Sequence, residues 1–111
     1  MRKLPRTYSK IATQGLNLFG LQIRLARTRL KMSAAELAER IGISRTTLQK
    51  IEQGDPHVEV GLVFEAAVLV GIPLFEVDGS SLGERLERLQ DKLALLPKAI
   101  RRTRAELNDD F

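Results

Sequence analysis

Side chains able to do covalent or acid–base chemistry are scarce in this sequence of 111 residues. It holds one histidine, His57, one tyrosine, Tyr8, and no cysteine. Without cysteine there is no disulfide, no thiolate metal site and no thiol nucleophile. A lone imidazole leaves little for metal binding or proton transfer. Aromatic residues are 5% and tryptophan is absent, so neither a base-stacking platform nor a cofactor pocket is expected. The reading is of a protein that is not an enzyme and that carries no cofactor and no metal. What remains are residues that hydrogen-bond. The most suggestive group is Arg45, Thr46, Gln49 and Lys50. Residues four apart on a helix are neighbours, so this spacing gathers them on one side. Arginine matches guanine O6 and N7, glutamine matches adenine, and a threonine methyl suits thymine. None of the four is acidic, as a surface facing phosphates requires.

The elements that must position these residues are short capped helices. Ser33-Ala-Ala-Glu36 is a capping box, followed by Leu37, Ala38 and Ile41 on one apolar face. Gly42 ends that helix, Ile43 points inward and Ser44 caps the next helix. Leu48 and Ile51 turn to the core, and Gly54 stops the second helix. A joint as short as Gly42–Ile43–Ser44 forces the two helices to cross near ~90–120°, which makes a helix-turn-helix. Both helix N-termini, behind Ser33 and Ser44, present N–H groups suited to phosphate.

On either side lie further helices. Asn17 reads as an N-cap, with helical apolar spacing at Leu18, Leu21 and Leu25 and at Ile23, Ala26 and Leu30. Residues 1–16, with Pro5 and Gly15, read as a basic arm. Asp55–Pro56–His57 is a turn. A helix from about 59 to 70 buries Val60, Val63, Ala66, Ala67 and Val70, and Gly71 closes it. Ile72 to Val77 is apolar and rich in strand formers. Ser81-Leu-Gly-Glu84 is a second capping box. It opens a helix with leucines at 82, 86, 89, 93 and 96, the a/d spacing of a heptad.

The net charge of +4 is strongly segregated. Residues 1–31 carry eight Lys or Arg and no acid, whereas residues 55–79 carry five acids and no Lys or Arg. A basic face attracts polyanions, either nucleic acid or an anionic membrane. A membrane-surface helix needs bulky apolar residues opposite the basic ones, and residues 1–10 supply only Leu4 and Tyr8. The most apolar stretch, Val60 to Phe75, is too short and too interrupted by Glu65 to span a bilayer. A cytoplasmic chain that engages no membrane is expected.

The run Met32-Ser-Ala-Ala-Glu-Leu-Ala-Glu-Arg-Ile-Gly-Ile-Ser-Arg-Thr-Thr-Leu-Gln-Lys-Ile-Glu-Gln-Gly54, with Ile23-Arg-x-x-Arg27 before it, resembles the XRE (Cro-type, phage-repressor-like) helix-turn-helix family. The resemblance continues to Gly71–Ile72 and covers about half the chain. It implies an all-α fold, a compact five-helix DNA-binding bundle, and a homodimer on a near-palindromic double-stranded operator. Carried over by position, it implies that Ser44, Arg45, Thr46, Thr47 and Lys50 meet DNA, with Arg45, Thr46 and Lys50 nearest the bases. It also implies an ion pair between Arg27 and Glu52. One departure is Ala34, where many members have a glutamine. The arm, the Pro73–Val77 segment and the Leu82–Leu96 helix are similar to HipB-like antitoxins. Those proteins dimerise, repress their own operon and bind a HipA-like kinase toxin.

The expected organisation is therefore a basic arm over 1–16, a helix-turn-helix domain over 17–78 with the motif at 33–53, and a leucine-rich C-terminal helix and tail over 79–111. A short intersubunit β-strand is expected near 73–77. DNA contacts are expected from Ser33, Ser44, Arg45, Thr46, Thr47, Gln49 and Lys50, and from Arg2, Lys3 and Arg6 in the arm. A dimer interface is expected at Phe75, Val77, Leu82, Leu86, Leu89 and Leu93. The expected function is transcriptional repression by sequence-specific DNA binding, in an autoregulatory antitoxin of a HipBA-like module. Two alternatives are an antitoxin acting mainly by holding its toxin and a plain XRE-type regulator without one.

Overall fold

The structure, a computed structural model, describes residues 6–75 and 81–97. Five α-helices follow one another: α1 (Lys10–Arg29), α2 (Ala34–Ile41), α3 (Arg45–Glu52), α4 (Val60–Leu69) and α5 (Leu82–Ala94). The chain divides after Leu74 into two compact units, the first holding α1 to α4 and the second α5.

Helix α1 starts a full two turns before the expected position. Its N-cap is Ser9, whose hydroxyl accepts the Ala12 N–H at 3.1 Å. Asn17 therefore lies inside the helix, and residues 10–16 belong to α1 rather than to an arm. The apolar pattern begins only at Leu16, but Lys10, Ala12 and Gln14 are strong helix formers and need no buried face to extend a capped helix. Of the two apolar rows on α1, the one through Ile23 and Ala26 packs inward. Leu18, Leu21 and Leu25 remain half or more exposed.

Capping fixes α2 and α3. The Ser33 hydroxyl accepts the Glu36 N–H and the Ser44 hydroxyl accepts the Thr47 N–H, both at 3.1 Å. Gly42 ends α2 at φ 87°, a left-handed conformation that side-chain-bearing residues adopt at a cost of roughly 1–2 kcal/mol. The Gly42 and Ile43 amides both return to the Ala38 carbonyl, so the chain turns sharply into Ser44. These bonds produce the crossed pair that the sequence predicts.

The core of the first unit comprises Ile23, Met32, Leu37, Ala38, Leu48, Ile51, Ala66, Ala67 and Val70. Every helix of that unit, or the turn beside it, contributes. Leu37 and Leu48, one from each motif helix, are fully buried. Burying a leucine is worth about 1.5–3 kcal/mol, so these two residues set the α2–α3 crossing. Helix α3 packs against both α1 and α2, and α2 also meets α4. At the α1–α3 crossing Gly20 brings the backbones together. A Cβ there would lie 2.6 Å from the carbonyl oxygens of Ile51 and Glu52. Gly54, at φ 78°, sits equally close to Asn17, whose backbone nitrogen would lie 2.8 Å from such a Cβ.

Two expectations about the later segments are corrected. The helical pattern places Val60 in the core, yet it is 66% exposed. It is the first residue of α4, where the helix enters from Glu59 with no side-chain cap. Around Pro73 no strand forms among the described residues. Leu74 and Phe75 make a turn, with Phe75 at φ 57°, outside the extended range. A lone strand gains nothing without a neighbour to share its hydrogen bonds, and Pro73 donates none. Val77 lies outside the described residues.

In the second unit the Ser81 hydroxyl accepts the Glu84 N–H at 3.2 Å and starts α5. Arg85 Nη1 donates to the Phe75 carbonyl at 3.0 Å. Leu82, Leu86, Leu89 and Leu93 run along α5, each between 45% and 58% exposed. The helix stops at Ala94, with Leu95 as its C-cap, so Leu96 of the heptad lies beyond it.

Candidate nucleic-acid interface

The motif helix α3 has two sides of opposite character. Leu48 and Ile51 anchor it in the core, while Arg45, Thr46, Gln49 and Lys50 are exposed. Eight residues give a rod of about 12 Å, short enough to enter a major groove end-on or obliquely. The exposed side carries two cations, two neutral hydrogen-bonding groups and no carboxylate.

Ser44 and Thr47 are placed differently. Ser44 Oγ accepts the Thr47 N–H and lies 3.0 Å from Thr47 Oγ1, so the two side chains hold the start of α3. Thr47 is half-buried. Ser33 similarly spends its hydroxyl on the first turn of α2. The remaining first-turn amides of both helices project outward, where a phosphate meets N–H groups and the positive end of the helix dipole.

The setting of α3 depends on Arg27. Its Nε donates to Glu52 Oε2 at 2.8 Å and its Nη2 to Glu52 Oε1 at 3.0 Å. Its Nη1 donates to the Met32 carbonyl at 3.0 Å. The pair is bidentate, and its side chains are only 14% and 9% exposed. The hydrogen bond and charge of Glu52 make the Arg27 guanidinium hold its proton more tightly than usual, against an opposing push from burial. One guanidinium thus ties α1, the α1–α2 turn and the end of α3 into one unit. Together with the Gly20 approach it fixes the rotation of α3, and so the direction of its outer residues.

Two residues reach this surface that sequence spacing alone does not assign to it. Arg24 lines a polar cleft with Arg45, Thr46, Gln49 and Gln53. It sits one turn before Arg27 on α1, and only the α1–α3 packing brings it beside α3. His57 lines a second shallow cleft with Thr47 and Lys50, below the end of α3. Its place follows from an Asx turn, in which Asp55 Oδ1 accepts the His57 N–H at 2.8 Å. Arg2 and Lys3 lie outside the described residues. Arg6 is exposed, three residues before the α1 cap.

Two capped helices crossed at a glycine turn, with a cationic, acid-free outer face on the second, define a DNA-binding helix-turn-helix. Residues 23–77, about half of the chain, match the family model described as helix-turn-helix. The chain belongs to the XRE-type helix-turn-helix family. No curated protein matches the chain significantly. No solved structure does either. Membership makes the chain a DNA-binding regulator of XRE type. Among the described residues, no helix is long and apolar enough to cross a membrane.

Proposed function

We propose that this protein is a cytoplasmic, non-catalytic transcriptional repressor that binds a specific near-palindromic operator as a homodimer. The observation that carries the reading is the outer face of α3. It presents Arg45, Thr46, Gln49 and Lys50 together, free of acids, on a helix whose other side is locked by Leu48, Ile51 and the Arg27–Glu52 pair. Arg45 reads guanine with two hydrogen bonds, Gln49 reads adenine, and Thr46 lays its methyl group on thymine. Lys50 lies with them nearest the bases, while Ser33, Ser44 and Thr47, with the amides of both helix N-termini, hold phosphates and set the register. Arg2, Lys3 and Arg6 add phosphate or minor-groove contacts beside the motif.

One α3 helix reads too few base pairs for tight specific binding, so two copies must act about 34 Å apart. The four leucines of α5 supply a surface for pairing. They form a heptad stripe about 17 Å long and are largely exposed in the single chain. Phe75, 66% exposed, adds to the apolar surface of the same unit. Selection of duplexes from a random pool by the full-length protein tests this reading. It should yield a near-palindrome with half-sites one helical turn apart. A pool that stays random after repeated rounds would overturn it.

A finer reading makes the repressor an autoregulatory antitoxin. It rests on the similarity of the arm, the 73–77 segment and the leucine helix to HipB-like proteins, and on the exposed α5 stripe as a place to hold a partner. A HipA-like kinase encoded beside this chain, and forming a stoichiometric complex with it, would support that role. A neighbour of another kind and no such complex would leave a plain XRE-type regulator.

A further inference from the structure

We propose that His57 is a phosphate-contacting residue that engages DNA only in its protonated form, so that binding takes up a proton and tightens as pH falls. The proposal rests on the DNA-binding reading above and adds a residue and a condition to it. Three observations on the turn after α3 support it.

The first is position. His57 shares a surface cleft with Thr47 and Lys50 of α3, and with Asp55, Val58, Glu59 and Leu62. Its side chain is 73% exposed, so the ring lies open beside the cation of Lys50 at the edge of the motif. The second is orientation. His57 Nδ1 lies 3.0 Å from Asp55 Oδ1, the same oxygen that accepts the His57 backbone N–H. Those two hydrogen bonds, the backbone one foremost, hold the Asp55 carboxyl below its usual range and keep it a carboxylate near neutrality. A carboxylate only accepts, so Nδ1 must carry the hydrogen. The third is what remains at the other nitrogen. In the neutral ring Nε2 then has a lone pair and repels a phosphate oxygen, which also only accepts. In the imidazolium Nε2 is a donor, and the contact becomes a charge-assisted hydrogen bond.

Each phosphate contact by this ring therefore requires one added proton. The charged groups that share the cleft with the ring are the carboxylates of Asp55 and Glu59 and the ammonium of Lys50. His57 is the chain's single histidine.

The test uses the full-length protein and a 30-base-pair duplex obtained from it by selection, with affinity read by fluorescence anisotropy at constant ionic strength. Between pH 8 and pH 6 the wild type should tighten about tenfold, with log K against pH approaching a slope of −1. His57→Gln should lose this rise. Asp55→Asn keeps the ring but removes its carboxylate, and should move the rise to lower pH. Calorimetry at pH 7 in buffers of differing ionisation enthalpy should register proton uptake for the wild type, and markedly less for His57→Gln. A pH-independent wild type, or a His57→Gln variant with the same pH dependence, would overturn the proposal and leave the repressor reading intact. Failure to bind any duplex at any pH would overturn both.

Discussion

Replacing Arg27 tests how α3 is held. Arg27→Met removes two hydrogen bonds to Glu52 and one to the Met32 carbonyl. It also strands a carboxylate whose side chain is only 9% exposed. Exposed ion pairs contribute about 0–1 kcal/mol, whereas removing one member of a buried pair costs about 3–5 kcal/mol. This pair is nearly but not fully buried, and its bidentate geometry is good, so a loss of about 3 kcal/mol is expected. Against a total stability of about 5–15 kcal/mol that is a large fraction. With a urea slope of about 1.5 kcal/mol per molar, the midpoint should fall by about 2 M. Glu52→Leu should cost about 2–3 kcal/mol, because it leaves a guanidinium only partly satisfied by Met32. The double variant Arg27→Met/Glu52→Leu should cost far less than the two together, since neither charge is then left alone. A coupling of about 2 kcal/mol is expected in the cycle. Urea unfolding followed by circular dichroism reads all four proteins. If the single losses add to within about 0.5 kcal/mol, the pair is not a unit and does not set the helix.

Other consequences follow from the same geometry. Gly54→Ala must place a side chain at φ 78° against the Asn17 backbone, so a thermal melt should show at least about 2 kcal/mol of destabilisation; a neutral substitution would mean that α1 does not approach this turn so closely. Replacing Arg2, Lys3 and Arg6 by glutamine should lower the slope of log K against log salt by about 0.9 for each phosphate the arm no longer neutralises, and an unchanged slope would mean the arm stays off the DNA. Leu86→Lys with Leu93→Lys should give a folded monomer with weakened operator binding. Sedimentation showing a fully active dimer would place the interface elsewhere.

Legibility in the sequence followed the range of the interaction. The boundaries of α2 and α3 are set by Ser33, Gly42 and Ser44, and each of these acts within a few residues of itself. A hydroxyl three residues from its amide, or a glycine at a left-handed turn, leaves a local signature. The start of α1 leaves a weaker one. Ser9 is a good cap, but no apolar row follows until Leu16, and periodicity is the stronger signal elsewhere. Gly20 reads in the sequence as a penalty inside a helix; its purpose is the close approach of α1 to the end of α3, which no local pattern encodes. Arg24 and His57 reach the motif surface for the same kind of reason. One depends on the α1–α3 crossing and the other on the Asp55 turn. The segment around Pro73 has strand-forming residues, yet among the described residues it forms no strand, because β propensity expresses itself only against a neighbouring strand.

The central claim is that the outer face of α3 reads base edges, and Arg45 tests it most directly. Anisotropy titrations of wild type and Arg45→Ala should be run on the selected duplex and on a scrambled duplex of equal length, at one salt concentration. The account predicts a loss of about 1–3 kcal/mol on the selected duplex, the value of a bidentate guanine contact, and a much smaller loss on the scrambled one. Equal weakening on both duplexes would contradict it, because Arg45 would then act only as a charge against phosphate.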